Sequence, residues 1–244
     1  LVDFTPEIRQ MAVEAVSNFR MGPLFTAPTL AEDGGTQGTL FRPTGGGAAS
    51  WTGAAVDPET GVLYVPSSNN LGVIQYYTPD PAIGGNLRYT HGQPEAARLR
   101  GGRGGGGGPR MPQGLPLLKP PYSRMTAIDM NTGEHEWMVP LGNGDRYRNH
   151  PLLRDLNLPP LGGDGVGGPV LTKTLLVSAL SAGSSNGGPR LVARSKETGE
   201  ELGSVDLPTG AIGTPMTYMV DGRQYFAVAI GGRPPQMVAF ALPE

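Results

Sequence analysis

The side chains able to do chemistry are few and scattered. His91, His135 and His150 stand on three separate polar stretches, without the short spacings that gather imidazoles around a metal ion. Asp57 and Asp129 each open a turn, where a carboxylate bonds backbone amides just ahead of it. The chain holds no Gly-x-Ser-x-Gly elbow, no His-Glu-x-x-His pair and no dinucleotide-binding glycine fingerprint. Gly101-Gly-Arg-Gly-Gly-Gly-Gly-Gly-Pro109, with Arg98, Arg100, Arg103 and Arg110, has the glycine and charge of a phosphate cradle. No strand precedes it, no helix pattern follows and no Lys-Ser/Thr pair closes it, so it reads as a low-complexity basic insert. Residue chemistry alone therefore assigns neither a catalytic residue nor a metal site.

The element that must position everything else is Met125-Thr-Ala-Ile-Asp-Met-Asn-Thr-Gly-Glu-His-Glu-Trp137. It predicts two strands around a polar turn, with Asn131 and Gly133 tolerating positive φ and Asp129 and Thr132 bonding the turn backbone. Trp137 is placed to pack on a neighbouring sheet. Ala193-Arg-Ser-Lys-Glu-Thr-Gly-Glu-Glu-Leu-Gly203 repeats the Ala, Thr, Gly and Glu in register, with Ser195 for the Asp and Gly203 for the Trp. Val56-Asp-Pro-Glu-Thr-Gly-Val-Leu-Tyr-Val65 uses the same Asp-x-x-Thr-Gly chemistry. A hairpin recurring at such intervals marks stacked or radial β units, and radial blades are one solution to exposed sheet edges.

Composition agrees. The 244 residues include 39 Gly and 25 Pro, with 38% hydrophobic and 16% charged, as in a loop-rich β protein. A net charge of −2 gives no global field for nucleic acid or an anionic membrane. There is no apolar run of about 18 residues to make a transmembrane helix. The absence of cysteine excludes disulfides and thiol catalysis. The chain starts at Leu1 without Met or signal peptide, and reads as a processed or truncated piece.

Along the chain, Thr5-Pro6-Glu7 opens a helix whose Ile8, Met11, Ala12, Ala15, Val16 and Phe19 form an apolar face, ended by Gly22-Pro23. Strands follow at 38–41, 53–65 as a hairpin broken by Ser67-Ser-Asn-Asn70, and 73–77. The glycine loop 45–50 delivers Trp51 to a strand start. Residues 142–165 form a long polar excursion carrying Arg146, Arg148, His150 and Arg154, a loop long enough that it could cover an active face. Strands are expected at 167–172, 175–180, 191–193, 203–207, 216–220, 224–230 and 237–242, with a glycine–serine loop at 181–189 and Asp221-Gly222 as a hairpin turn. The fold class is all-β: a partial β-propeller of three to four blades after one short N-terminal helix. Residues 1–37 hold the helix and its connecting loop, and 38–244 hold the blades, with a Gly-rich insert at about 78–118.

Ala127-x-Asp129-x-x-Thr132-Gly133-x-x-x-Trp137 resembles the tryptophan docking motif of the quinoproteins that use pyrroloquinoline quinone (PQQ). Further stretches follow in the order of that family's C-terminal half, especially its glucose-dehydrogenase-like branch. They are Phe19-Arg-Met-Gly-Pro-Leu-Phe25, Ser50-Trp51, Lys119-Pro-Pro-Tyr122, Asn157-Leu-Pro-Pro-Leu-Gly162, Gly167-Gly-Pro-Val170, Thr214-Pro-Met-Thr-Tyr218 and Asp221-Gly-Arg-Gln-Tyr225 through Gly231-Gly232. The resemblance spans nearly the whole chain apart from the 78–118 insert. It implies an eight-bladed propeller in a much longer chain, with PQQ over the central channel and Ca²⁺ or Mg²⁺ beside it. It also implies a periplasmic dehydrogenase that oxidises a sugar or alcohol and passes electrons to a quinone or cytochrome.

The family's catalytic Asp and a cofactor-contacting basic residue lie before the matched part, so the resemblance assigns neither, nor any metal ligand, to this chain. It does place Trp51, Gly167, Gly168, Gly231, Gly232 and Arg233 beside the cofactor. Ser67 and Asn69 fall where the glucose branch has an Asn touching PQQ, and Val166 stands where the alcohol branch has a ring-stacking Trp. PQQ is a flat tricarboxylate, so it needs a planar apolar face with cationic and backbone donors. Trp51 and Arg233 are the right types, although Trp51 also suits a core position and Arg233 a solvated loop. A non-catalytic propeller kept for binding or scaffolding is the alternative reading. The remaining N-terminal blades of the same protein are the implied partner.

Overall fold

The computed structural model describes residues 1–31, 35–43, 48–49, 51–80, 82, 86–92, 108–183 and 187–241. The glycine-run residues 101–107, the glycine-loop residues 44–47 and Ser50 lie outside the described residues. Contacts gather the chain into two units, Leu1–Gly47 with Asn70–Lys119, and Ala48–Asn69 with Pro120–Glu244.

The first unit contains helix α1 (Pro6–Val16) and two small antiparallel ribbons. Thr5 caps α1, its Oγ1 accepting from Ile8 N at 3.2 Å, with Pro6 at the first turn, and Ile8, Ala12 and Val16 are buried. The helix stops short of the Gly22-Pro23 signal. Ser17 turns its amide and hydroxyl onto Glu14 O, and Asn18 and Arg20 are drawn into bonds with Gln37, Gly38 and Leu40. Strand β1 (Thr39–Phe41) pairs with β4 (Gly72–Ile74), and β5 (Tyr76–Tyr77) with β6 (Thr90–His91). The single strand expected at 73–77 is thus divided at Gln75, whose buried side chain donates to Gln37 O at 2.6 Å.

The second unit is three antiparallel sheets built by one rule. The first runs β2 (Ala55–Asp57), β3 (Val62–Ser68), β7 (Ser123–Asp129) and β8 (His135–Pro140). The second runs β9 (Val170–Leu171), β10 (Leu175–Leu180), β11 (Arg190–Ser195) and β12 (Glu201–Asp206). The third runs β13 (Met216–Val220), β14 (Arg223–Ile230) and β15 (Gln236–Ala241). Chain order is spatial order in each, so every sheet is a meander.

The three Thr-Gly turns share one geometry. Gly61, Gly133 and Gly199 have φ of 75°, 77° and 74°. Their amides donate back to Asp57, Asp129 and Ser195 carbonyls at 2.8, 2.7 and 2.9 Å. Ser195 fills the Asp role because its hydroxyl also accepts from the amides of Glu197 and Thr198. A register shift recurs at Ala127/Ile128 and Ala193/Arg194, the same place in each hairpin.

Strict alternation buries the middle sheet on both faces. Leu176, Leu180 and Val192 join Val62, Tyr64, Met125, Ala127 and Leu141 in one core. Val177, Ala179 and Leu191 join Phe226, Val228 and Ile230 in another. Three sheets therefore stack face to face in chain order, as blades of a partial propeller do. Trp137 is the clamp between the first two. Its Nε1 donates to Lys196 O at 3.1 Å, and its ring lies on Gly199, where a Cβ would sit 2.7 Å away. The 142–165 segment is not wholly solvated: Leu153, Leu161 and Asp164 are buried in it, beyond a short helix α2 (Asp145–Arg148).

Candidate functional site

All eight residues singled out from the sequence fall at one end of the sheets of the second unit. Antiparallel pairing puts the start of each first strand beside the end of each second strand, as the Ala55–Tyr64, Val170–Val177 and Met216–Ala227 partners show. Trp51 precedes β2, Ser67 is the last residue but one of β3 and Asn69 follows it; Gly167-Gly168 precede β9; Gly231, Gly232 and Arg233 follow β14. The strands β2 and β9 also lie against each other.

The starts of all three first strands meet at one point. Thr214 Oγ1 donates to Thr52 O at 3.1 Å. Gly168 packs against both, and a Cβ on it would stand 2.4 Å from Thr52 O and 2.5 Å from Thr214 Oγ1. Gly167 approaches β10 as closely, 2.9 Å from Ala179 O to the position of a Cβ. Packing of strand on strand thus accounts for this glycine pair. Gly231 differs: a Cβ would meet Gly210 O at an ordinary 3.5 Å, and its amide is already donated to that oxygen at 2.8 Å. Gly232 sits at φ 133°, a conformation that needs glycine.

Trp51 is not a core residue. Its indole is 95% exposed, a flat apolar surface carried by the residue next to Thr52 of this junction. Arg233 is likewise exposed. Ser67 is buried, and its hydroxyl accepts from Arg124 Nε at 3.3 Å. Asn69 is half-buried, and its amide donates to Tyr122 O at 2.8 Å. A planar apolar face and a guanidinium at the same end of the sheets fit a flat, anionic ring system by type. Among the described residues no three His, Asp or Glu side chains gather as a metal site.

The loop after β8 shapes this end. Asp164 is 6% exposed; its carboxylate accepts from Gly144 N at 3.2 Å, and its carbonyl from Ser181 N and Oγ at 2.6 and 2.8 Å. Desolvation lifts its pKa above the usual carboxylate range, opposed by the Gly144 amide. Asp57 goes the other way. Lys196 Nζ lies 2.5 Å from its Oδ2, and that bond together with the Glu59 amide holds its pKa low. Sequence reasoning credited Asp57 with turn bonds alone. Neither Lys196 nor Thr214 had a local signal, because each acts on a residue far away in the chain.

The family model for the β-propeller domain of glucose, ethanol and alcohol dehydrogenases, named for PQQ, matches residues 1–226. The chain belongs to this PQQ dehydrogenase family. It is 38% identical over 121 residues to the quinate/shikimate dehydrogenase (quinone) of Acinetobacter baylyi, covering 49% of this chain and 14% of that protein. It is 29% identical over 245 residues to the quinoprotein glucose dehydrogenase of Escherichia coli K12, covering 91% of this chain and 28% of that protein. The quinohemoprotein alcohol dehydrogenase structure from Comamonas testosteroni overlays with a TM-score of 0.44 at 24% identity, over 76% of this chain and 22% of that one. The chain thus spans less than a third of the length of these curated relatives.

Proposed function

We propose that this chain is the C-terminal part of a PQQ-dependent dehydrogenase that oxidises a sugar or alcohol, and that it supplies one wall of the cofactor site. The observation that carries the reading is the junction of Thr52, Gly168 and Thr214 next to Trp51, whose indole is exposed. An indole held open at the meeting point of three sheets has no core to fill and offers its face to a flat partner. Bound there, the quinone supplies a two-electron acceptor. Trp51 would stack on its ring, and Arg233 would take one of its carboxylates.

The proton acceptor for the substrate hydroxyl and the ligands of Ca²⁺ or Mg²⁺ belong to the part of the protein outside this chain. Electrons leave to a quinone or cytochrome, and the working compartment is the periplasm. These statements rest on the family, not on a contact in this chain.

The test is the full-length protein reconstituted with PQQ and Ca²⁺ or Mg²⁺, assayed with an artificial electron-accepting dye on a panel of sugars and alcohols. Turnover that depends on PQQ and falls on Trp51→Ala is the expected result. A full-length protein that neither binds PQQ nor turns over moves the reading to a non-catalytic propeller.

A further inference from the structure

Trp51 and Thr52 belong to no rung of the β2–β3 ladder. That pairing begins at Ala55, an isolated bridge joins Ala49 to Ser67, and Trp51 and Thr52 lie in the gap between the two. With its indole 95% exposed, Trp51 has little packing of its own to fix its direction. Into this gap reaches the Thr214 hydroxyl, donated to Thr52 O across 162 residues of chain. Gly168 keeps that approach open, since any side chain there would displace both partners. The next residue after Thr214 is the buried Pro215, which leads directly into β13 and anchors the donor.

We propose that Thr214 is a positioning residue of the cofactor face: by holding the Thr52 carbonyl against Gly168, it fixes the direction of the Trp51 indole. The inference rests on the PQQ site proposed above and deepens it. A flat ring binds well only to a face that is already oriented, because the alternative is to order that face at the moment of binding. One hydrogen bond on an exposed junction contributes little to the stability of three packed sheets. Its effect therefore falls on binding.

The experiment is a PQQ titration of the full-length protein by calorimetry, with thermal unfolding run in parallel. Thr214→Val, nearly isosteric but unable to donate, should raise the Kd about tenfold, the equivalent of one hydrogen bond. Thr214→Ser, which restores the donor, should stay within about twofold of the parent. In a Trp51→Ala background, Thr214→Val should change Kd less than about twofold, because the group it positions is gone. Equal losses in both backgrounds would show that Thr214 acts by some route other than Trp51, and would overturn the proposal. So would a Thr214→Val protein that binds like the parent, or one that no longer folds while Thr214→Ser does. A parent protein that does not bind PQQ at all overturns the functional reading first, and is distinguishable from each of these.

Discussion

Gly133 and Gly199 occupy equivalent turns with nearly equal φ, 77° and 74°, yet their surroundings differ. A Cβ at Gly133 meets nothing within 4 Å, whereas one at Gly199 would strike the Trp137 ring at 2.7 Å. Gly133→Ala should cost about 1–2 kcal/mol, the penalty of a left-handed backbone. Gly199→Ala should cost clearly more, since it also pushes Trp137 off its seat. Equal losses in chemical denaturation would mean that the ring shifts freely. Trp137→Ala itself should cost about 3 kcal/mol, from lost burial plus the bond to Lys196 O.

Asp164 gives a pH test at the same scale. Its folded pKa is raised by burial, so between the ordinary carboxylate value and that raised value the folded state holds a proton that the unfolded state has lost. Stability therefore declines as pH rises through this window, and the penalty stays in full above it. Asp164→Asn keeps an acceptor for Gly144 N and removes the charge. Its melting temperature relative to the parent should be more favourable at pH 7 than at pH 4. The opposite trend would mean that the carboxylate is better solvated or paired than its 6% exposure indicates.

Between elements, the clasp from Asp57 on β2 to Lys196, which follows β11, joins two hairpins of adjacent sheets. Asp57 has its pKa lowered, first by the bond from Lys196, so the clasp stabilises above the ordinary carboxylate value and is lost as pH falls through the folded one. Lys196→Met should lower the melting temperature at pH 7, and the gap to the parent should close in strong acid. A gap that does not depend on pH would assign the loss to packing. The hairpins themselves were legible in the sequence, because Asp/Ser-x-x-Thr-Gly turns and alternating strands are local chemistry. The early end of α1 was not: bonds from residues 37–40 take over the chain before its own breaker at Gly22-Pro23 is reached. Burial of Leu153 and Leu161 in the polar 142–165 loop leaves no trace in the sequence for a related reason: two leucines eight residues apart mark neither a helical nor a strand period.

At the scale of the whole molecule, the second unit is an open stack. Among the described residues the first two sheets have four strands and the third has three, with β15 as an edge strand of the third. Its sequence from Gln236 to Ala241 has no charge and no proline to protect that edge, and Met237 is 65% exposed. The chain produced by itself should associate in a concentration-dependent way in sedimentation, and Met237→Lys should shift it toward monomer. It should also show no dye-linked turnover with added PQQ and Ca²⁺ or Mg²⁺, while the full-length protein does. Turnover by the chain alone would mean that it holds a proton acceptor of its own.

The sequence by itself determined the turns, the strand alternation and the order of family motifs, since each depends on neighbours within about a dozen residues; it left the number of blades at three to four. It also marked Trp51 and the glycine pairs as residues of the right type. Only the tertiary structure decided that Trp51 stands open and not in a core, that Gly168 is required by two neighbours' atoms, and that Ser67 is turned onto Arg124. The Asp57–Lys196 and Thr52–Thr214 contacts join residues 139 and 162 apart. A bond of that span leaves no period or spacing in the sequence. It exists because stacked sheets bring the same end of each meander to one place.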